Sequence, residues 1–171
     1  MIGCILSAGA GFAQRTGGVV NVRMALTTDA VHAGTTVRAI AFAQIAPGFH
    51  INDHHPTLKY LIPTELRLEP QKALDVERVV YPHGRMERFV FADTGLSVYE
   101  GEIQIPVFLK VMAGVQPGEY ALSGKLTYQA CNNHACLPPA SAPLLLKIRV
   151  VKSSVQLKPA ESDAVATPPS K

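Results

Sequence analysis

Two cysteines carry the most chemical potential in this chain. They stand in Cys131-Asn132-Asn133-His134-Ala135-Cys136, with a strand-like run, Thr127-Tyr128-Gln129-Ala130, entering the first and Leu137-Pro138-Pro139 leaving the second. If Asn132–Ala135 form a hairpin tip, the cysteines oppose one another across neighbouring strands. Residues opposed in that way have Cα atoms ~4.5–5.5 Å apart, a spacing that a disulfide accepts. Three chemistries then compete. The pair can be a structural staple, a dithiol that exchanges with other thiols, or, with His134, part of a soft-metal site.

Loop length favours exchange over the staple. Closing so short a ring stabilises a fold by roughly 2 kcal/mol in the chain-entropy model, against ~4.7 kcal/mol for a 100-residue loop. A bond so local also opens without unfolding anything else. Cys131, His134 and Cys136 offer three ligands and no evident fourth, a poor closed zinc site, although Cu(I) accepts fewer. The spacing does not match Cys-x-x-Cys-His, which excludes covalent haem. Exchange itself needs neither cofactor nor metal. An imidazolium at His134 would raise the thiolate fraction of a neighbouring cysteine, and the thiolate is the attacking species; the alternative is a plain polar loop residue. A second polar cluster, His50-Ile51-Asn52-Asp53-His54-His55-Pro56, has metal-ligating residue types. Adjacent His54 and His55 on an extended segment would point to opposite faces, which argues against a shared ion.

The elements that must position these residues read as strands. Runs with strand chemistry occur at Val19–Leu26, Thr36–Ile45, Thr64–Leu68, Met86–Phe91, Ile103–Met112, Tyr120–Ala130 and Leu144–Val151. Turn signals stand at Ala33-Gly34, Pro47-Gly48, His83-Gly84 and Pro117-Gly118. Pro106 cannot donate to a ladder, which places its strand at an edge or a bulge. Only Gln71–Val80 has a helical look. Many short strands with almost no helix predict an all-β sandwich with the cysteines on a hairpin.

Composition bounds the function. Hydrophobic residues make up 47% of the 171-residue chain and charged residues 17%, a globular balance sized for one domain. The net charge of +3 is spread singly rather than along a basic stripe, so no nucleic-acid partner is expected. The first 18 residues read as an export signal and short leader. Ile2–Phe12 is apolar and rich in small residues, and Gly11-Phe12-Ala13 before Gln14 resembles a cleavage site, although no Lys or Arg precedes the run. Cleavage there would remove Cys4 and leave an even pair of cysteines, as exported proteins favour. Lipidation at Cys4 is the weaker reading, because the apolar stretch follows it. Residues 19–152 form the expected domain, and 153–171 the expected disordered tail.

Several blocks, in order, resemble the N-terminal periplasmic domain of the thiol:disulfide interchange protein DsbD family. They are Pro47-Gly48-Phe49-His50-Ile51-Asn52, Leu61-Ile62-Pro63-Thr64, Val98-Tyr99-Glu100-Gly101, and Tyr128-Gln129-Ala130-Cys131 through Cys136-Leu137-Pro138-Pro139. The resemblance implies an immunoglobulin-like sandwich in an exported, periplasmic setting. It implies that Cys131 and Cys136 pass reducing equivalents to thioredoxin-like proteins through transient mixed disulfides. It also implies a cap loop over the cysteines, Phe89 to Val98 by its position before Tyr99, with Phe91 the favoured cover, Phe89 close behind and Tyr99 completing the cap. The family protein continues into a membrane-embedded electron-transfer domain, so a separate membrane electron donor is expected here. His134 inherits no role from the resemblance. The competing function is a non-redox binding module or metal chaperone, with the disulfide as staple or the cysteines as ligands.

Overall fold

Alternation of inward and outward side chains runs furthest in two long strands, Glu102–Val111 and Ala140–Val151, where every second residue is buried through most of the length. The computed structural model describes residues 18–160 and builds them into twelve strands. The first six are β1 (Val20–Leu26), β2 (Val31–His32), β3 (Thr36–Ile45), β4 (His50–Asn52), β5 (Glu65–Leu68) and β6 (Leu74–Val79). The others are β7 (Arg85–Glu87), β8 (Leu96–Tyr99), β9 (Glu102–Val111), β10 (Gly118–Tyr128), β11 (Ala130–Cys131) and β12 (Ala140–Val151). Among the described residues there is no helix.

Two four-stranded sheets make an immunoglobulin-like sandwich, one in the order β1-β3-β9-β6 and the other β2-β12-β10-β5. Small Ala39, Ala41 and Ala43 on β3 belong to one core with Leu122 and Leu126 on β10 and Leu144, Leu146 and Ile148 on β12. Small residues mixed with large ones let the layers of a core interdigitate, and each large aliphatic fully buried this way contributes about 1.5–3 kcal/mol. On the opposite face of the first sheet, the Arg23 guanidinium lies 3.8 Å from the centre of the Phe42 ring and Arg78 lies 4.2 Å from that of Phe108. A third sheet, in the order β11-β4-β8-β7, is built from short strands. Its entry turn needs Gly48, whose φ of 79° is costly for any residue with a Cβ.

Four local expectations change. Gln71–Val80 contains strand β6, not a helix; a bulge between Val76 and Arg78 inserts a residue and breaks the two-residue alternation that would have marked a strand. The run Met86–Phe91 stops at Glu87, leaving Phe89 and Phe91 in a loop. Pro106 lies on an interior strand rather than an edge. Its carbonyl accepts from the Val80 N–H at 2.8 Å, so the missing donor points to the same side, just where β6 runs out. Residues 153–160, expected as the start of a disordered tail, lie along the β1–β2 connection. The Asp29 N–H donates to the Lys158 carbonyl at 3.0 Å, the Ala160 N–H to that of Thr27 at 3.1 Å, and His32 Nε2 is 2.9 Å from the Val155 carbonyl. The expected export signal, Cys4 and residues 161–171 lie outside the described residues.

Candidate functional site

The cysteines sit where one hairpin leaves the sandwich. Strands β10 and β12 pair as far as Tyr128 opposite Ala140. Beyond Tyr128 the chain crosses at Gln129 into the third sheet, where Ala130 and Cys131 pair with Ile51 and His50 of β4. The tip then reverses over Asn132–Ala135. The Asn132 side chain accepts from the backbone N–H groups of His134 and Ala135, both at 2.9 Å, which closes the turn locally. Backbone bonds from Asn132 N–H to the Ala135 carbonyl and from Leu137 N–H to the Ala130 carbonyl bracket the cysteines. Cys131 and Cys136 face each other as an antiparallel bridge, with Cα atoms 3.9 Å apart, and are joined by a disulfide.

The two ends of that bond differ in environment. Cys131 is 2% exposed, whereas Cys136 and the following Leu137, Pro138 and Pro139 are exposed. The Cys136 side of the bond is therefore the solvent-exposed one, beside a stiff apolar shelf. His134 is exposed at the tip and lines a groove with Asn133, Glu87, Phe89 and Glu100.

The aromatic loop is shorter than expected, because Leu96–Val98 belongs to β8. Phe89 is its inner member. Its ring stacks on His50 at 4.0 Å, and Phe91, 41% exposed, stacks on Phe89 at 5.3 Å. Tyr99 is not part of this cover. It is buried in β8, with its hydroxyl donating to Asp53 at 2.7 Å.

Asp53, just beyond β4, emerges as a hydrogen-bonding hub. Its carboxylate also accepts from the Ser97 hydroxyl at 2.7 Å, from the Gly84 N–H at 3.0 Å and from the His55 N–H at 3.1 Å. Burial alone would raise its pKa, but the hydrogen bonds from Ser97, Tyr99, His55 and Gly84 outweigh it and hold the carboxyl below its ordinary value. Burial, with Asp53 beside it, pushes the Tyr99 phenol well up, so it stays a donor. Gly84 is required by space: a Cβ there would come within 2.5 Å of Ser97 Oγ and 2.6 Å of Asp53 Oδ2.

His54 stacks on Tyr81 at 3.6 Å, and its Nδ1 lies 2.9 Å from the Thr64 carbonyl. Rather than pointing apart, the His54 and His55 rings meet edge-on at 4.7 Å, because the segment bends after β4 instead of running on extended. His50, which the sequence offers only as a member of the histidine cluster and of a family block, takes a place beside the disulfide. It is 2% exposed, stands opposite Cys131, and leaves Nε2 without a hydrogen-bond partner. Neither the cluster nor the Pro47-Gly48-Phe49-His50 block signals this pairing with Cys131. Among the described residues, no three His, Cys, Asp or Glu side chains gather at a spacing that would hold a metal ion.

Residues 18–147 match the family model described as thiol:disulfide interchange protein DsbD, N-terminal. The chain belongs to this family. No curated protein matches it. Among solved structures, it is similar to the N-terminal periplasmic domain of ScsB from Proteus mirabilis, with a TM-score of 0.52 at 21% identity over 78% of this chain and 49% of that one. It thus spans about half the length of that relative, and the likeness shows a shared fold. The DsbD N-terminal domain of Neisseria meningitidis in its reduced form aligns over 72% of this chain and 84% of its own, at 18% identity and a TM-score of 0.41. The complex of the Neisseria DsbD and PilB N-terminal domains aligns at 20% identity over 70% and 79%, with a TM-score of 0.40. The disulfide hairpin and the His50–Phe89–Phe91 stack adjoin through the pairing of His50 with Cys131. No helix among the described residues is long and apolar enough to cross a membrane.

Proposed function

We propose that this domain is an exported, periplasmic thiol–disulfide exchange module, relaying reducing equivalents between thioredoxin-like proteins through Cys131 and Cys136. The observation that carries the reading is the asymmetric disulfide at the hairpin tip, with Cys136 exposed and Cys131 buried. Cys136 is the partner-facing thiol, and Cys131 resolves the mixed disulfide. The Leu137-Pro138-Pro139 shelf supports a docked partner, and its two prolines have no N–H groups that docking would leave unsatisfied. Phe89, backed by Phe91, covers the inner side of the pair and gives way when a partner docks. When protonated, the imidazole of His134 on the same hairpin tip favours the Cys136 thiolate. A membrane electron donor supplies the reducing equivalents.

The test is trapping in the exported compartment. Cys131→Ser should accumulate a covalent complex with the active-site cysteine of a thioredoxin-fold protein, because no second thiol remains to release it, and Cys136→Ser should trap little. The reverse pattern would exchange the two roles. Trapping by neither variant would favour a structural disulfide in a non-redox binding module.

A further inference from the structure

Three side chains stand in one row across the third sheet. His50 lies opposite Cys131 in the β4–β11 ladder, and Cys131 lies opposite Cys136 in the next bridge. Directly opposed residues of antiparallel strands place their side chains on the same face, with Cβ atoms about 4.5–5.5 Å apart. The imidazole of His50 is thus the polar group beside the buried sulfur. Phe89 closes the ring off from solvent, and Nε2 has no partner although it is buried. An unpaired buried nitrogen is destabilising and calls for an explanation.

Chemistry at Cys131 supplies one. When the disulfide opens, Cys131 must become a thiol or a thiolate in a site where it is 2% exposed. Burial disfavours the thiolate and keeps water from serving as the proton carrier. We propose that His50 is the proton acceptor and donor for Cys131, its Nε2 standing unpaired in the disulfide form because the S–H it serves exists only in the dithiol. This rests on the exchange reading above. In the reducing direction, the Cys136 thiolate attacks the disulfide of the partner, a mixed disulfide forms, and one partner sulfur leaves as a thiolate. Cys131 then passes its proton to His50 Nε2 while its sulfur attacks Cys136 Sγ. The Cys131–Cys136 bond forms, the bond to the partner breaks, and the second partner sulfur leaves. The partner disulfide has gained the two electrons that the dithiol lost. The imidazolium returns its proton to the departing thiolate or to water. Running backwards, His50 first takes the proton of the incoming partner thiol, and the resulting imidazolium protonates Cys131 as it leaves.

The site suits a neutral imidazole at rest. Burial lowers the His50 pKa, opposed in part by the carboxylate of Glu87 at the end of β7. The other ionisable groups around the neighbouring groove are Arg88 on the aromatic loop, Glu100 just beyond β8, and His134 on the hairpin.

The test uses the whole chain with glutathione disulfide as oxidant. His50→Phe keeps a ring against Phe89 and removes the nitrogen. Alkylation of Cys136 by iodoacetamide should match wild type. Release of glutathione from the mixed disulfide should slow at least about tenfold near pH 7 and recover as pH rises towards ionisation of the Cys131 thiol itself. Release at the wild-type rate with the wild-type pH profile would overturn the proposal. Independently of any variant, the His50 ring followed by NMR should titrate at different pH in the disulfide and dithiol forms. Identical titration in both forms would also overturn it. Wild-type release of glutathione shows whether the pair exchanges at all, so failure of the His50 effect alone leaves the exchange reading standing.

Discussion

Replacing Asp53 with Asn should destabilise the domain at neutral pH and abolish one component of its acid sensitivity. The wild-type carboxylate, 8% exposed, takes Tyr99 and His55 on Oδ1 and Ser97 and Gly84 on Oδ2. An amide has one accepting oxygen. In either orientation its NH2 faces one hydroxyl, which can rotate to accept, and one backbone N–H, which cannot. One buried donor is therefore left unpaired, at about 1–3 kcal/mol, and the remaining bonds lose their charge assistance. A total of roughly 2–4 kcal/mol follows. The sign with pH is set by the depressed carboxyl. A folded-state pKa below the unfolded value of ~3.9 contributes stability that is present above that value and lost as pH falls through the folded one. The gap between wild type and Asp53→Asn should thus be full at pH 7 and narrow below about pH 4. Urea unfolding of both proteins at a series of pH values reads it directly. A variant within about 0.5 kcal/mol of wild type at pH 7, the usual range for an indifferent surface change, would refute the hub role. So would a gap that stays constant below pH 4.

Other outcomes follow from the same geometry. Phe89→Ala should speed reduction of the disulfide by dithiothreitol more than Phe91→Ala does, because Phe89 is the ring lying on His50; stopped-flow reduction of both variants checks the order. The reduction potential of the Cys131–Cys136 couple should lie above ~−300 mV, as for exchanging rather than structural disulfides, and equilibration with glutathione measures it. Gly124→Ala should cost roughly 1–3 kcal/mol by urea unfolding, because a Cβ would meet the Arg67 carbonyl at 2.5 Å and push β5 from β10.

Much of this molecule was legible along the chain. Alternation in Glu102–Val111 and Ala140–Val151 marks the sandwich strands, since the two-residue period of a half-buried strand is a local property. The cysteine spacing, the turn residues between them and the following prolines likewise announce a hairpin that can carry a disulfide. The misread segment, Gln71–Val80, failed for an equally local reason: the bulge in β6 adds a residue and scrambles the period.

The working surroundings of the disulfide were decided by tertiary structure alone. Register between β4 and β11 sets His50 against Cys131, and β8 carries Ser97 and Tyr99 to Asp53 from more than forty positions away. Which cysteine is buried, which phenylalanine lies innermost and which polar nitrogen goes unpaired all depend on these pairings. The chain encodes them through long-range strand register, and no pattern among sequence neighbours reports where two distant strands will meet.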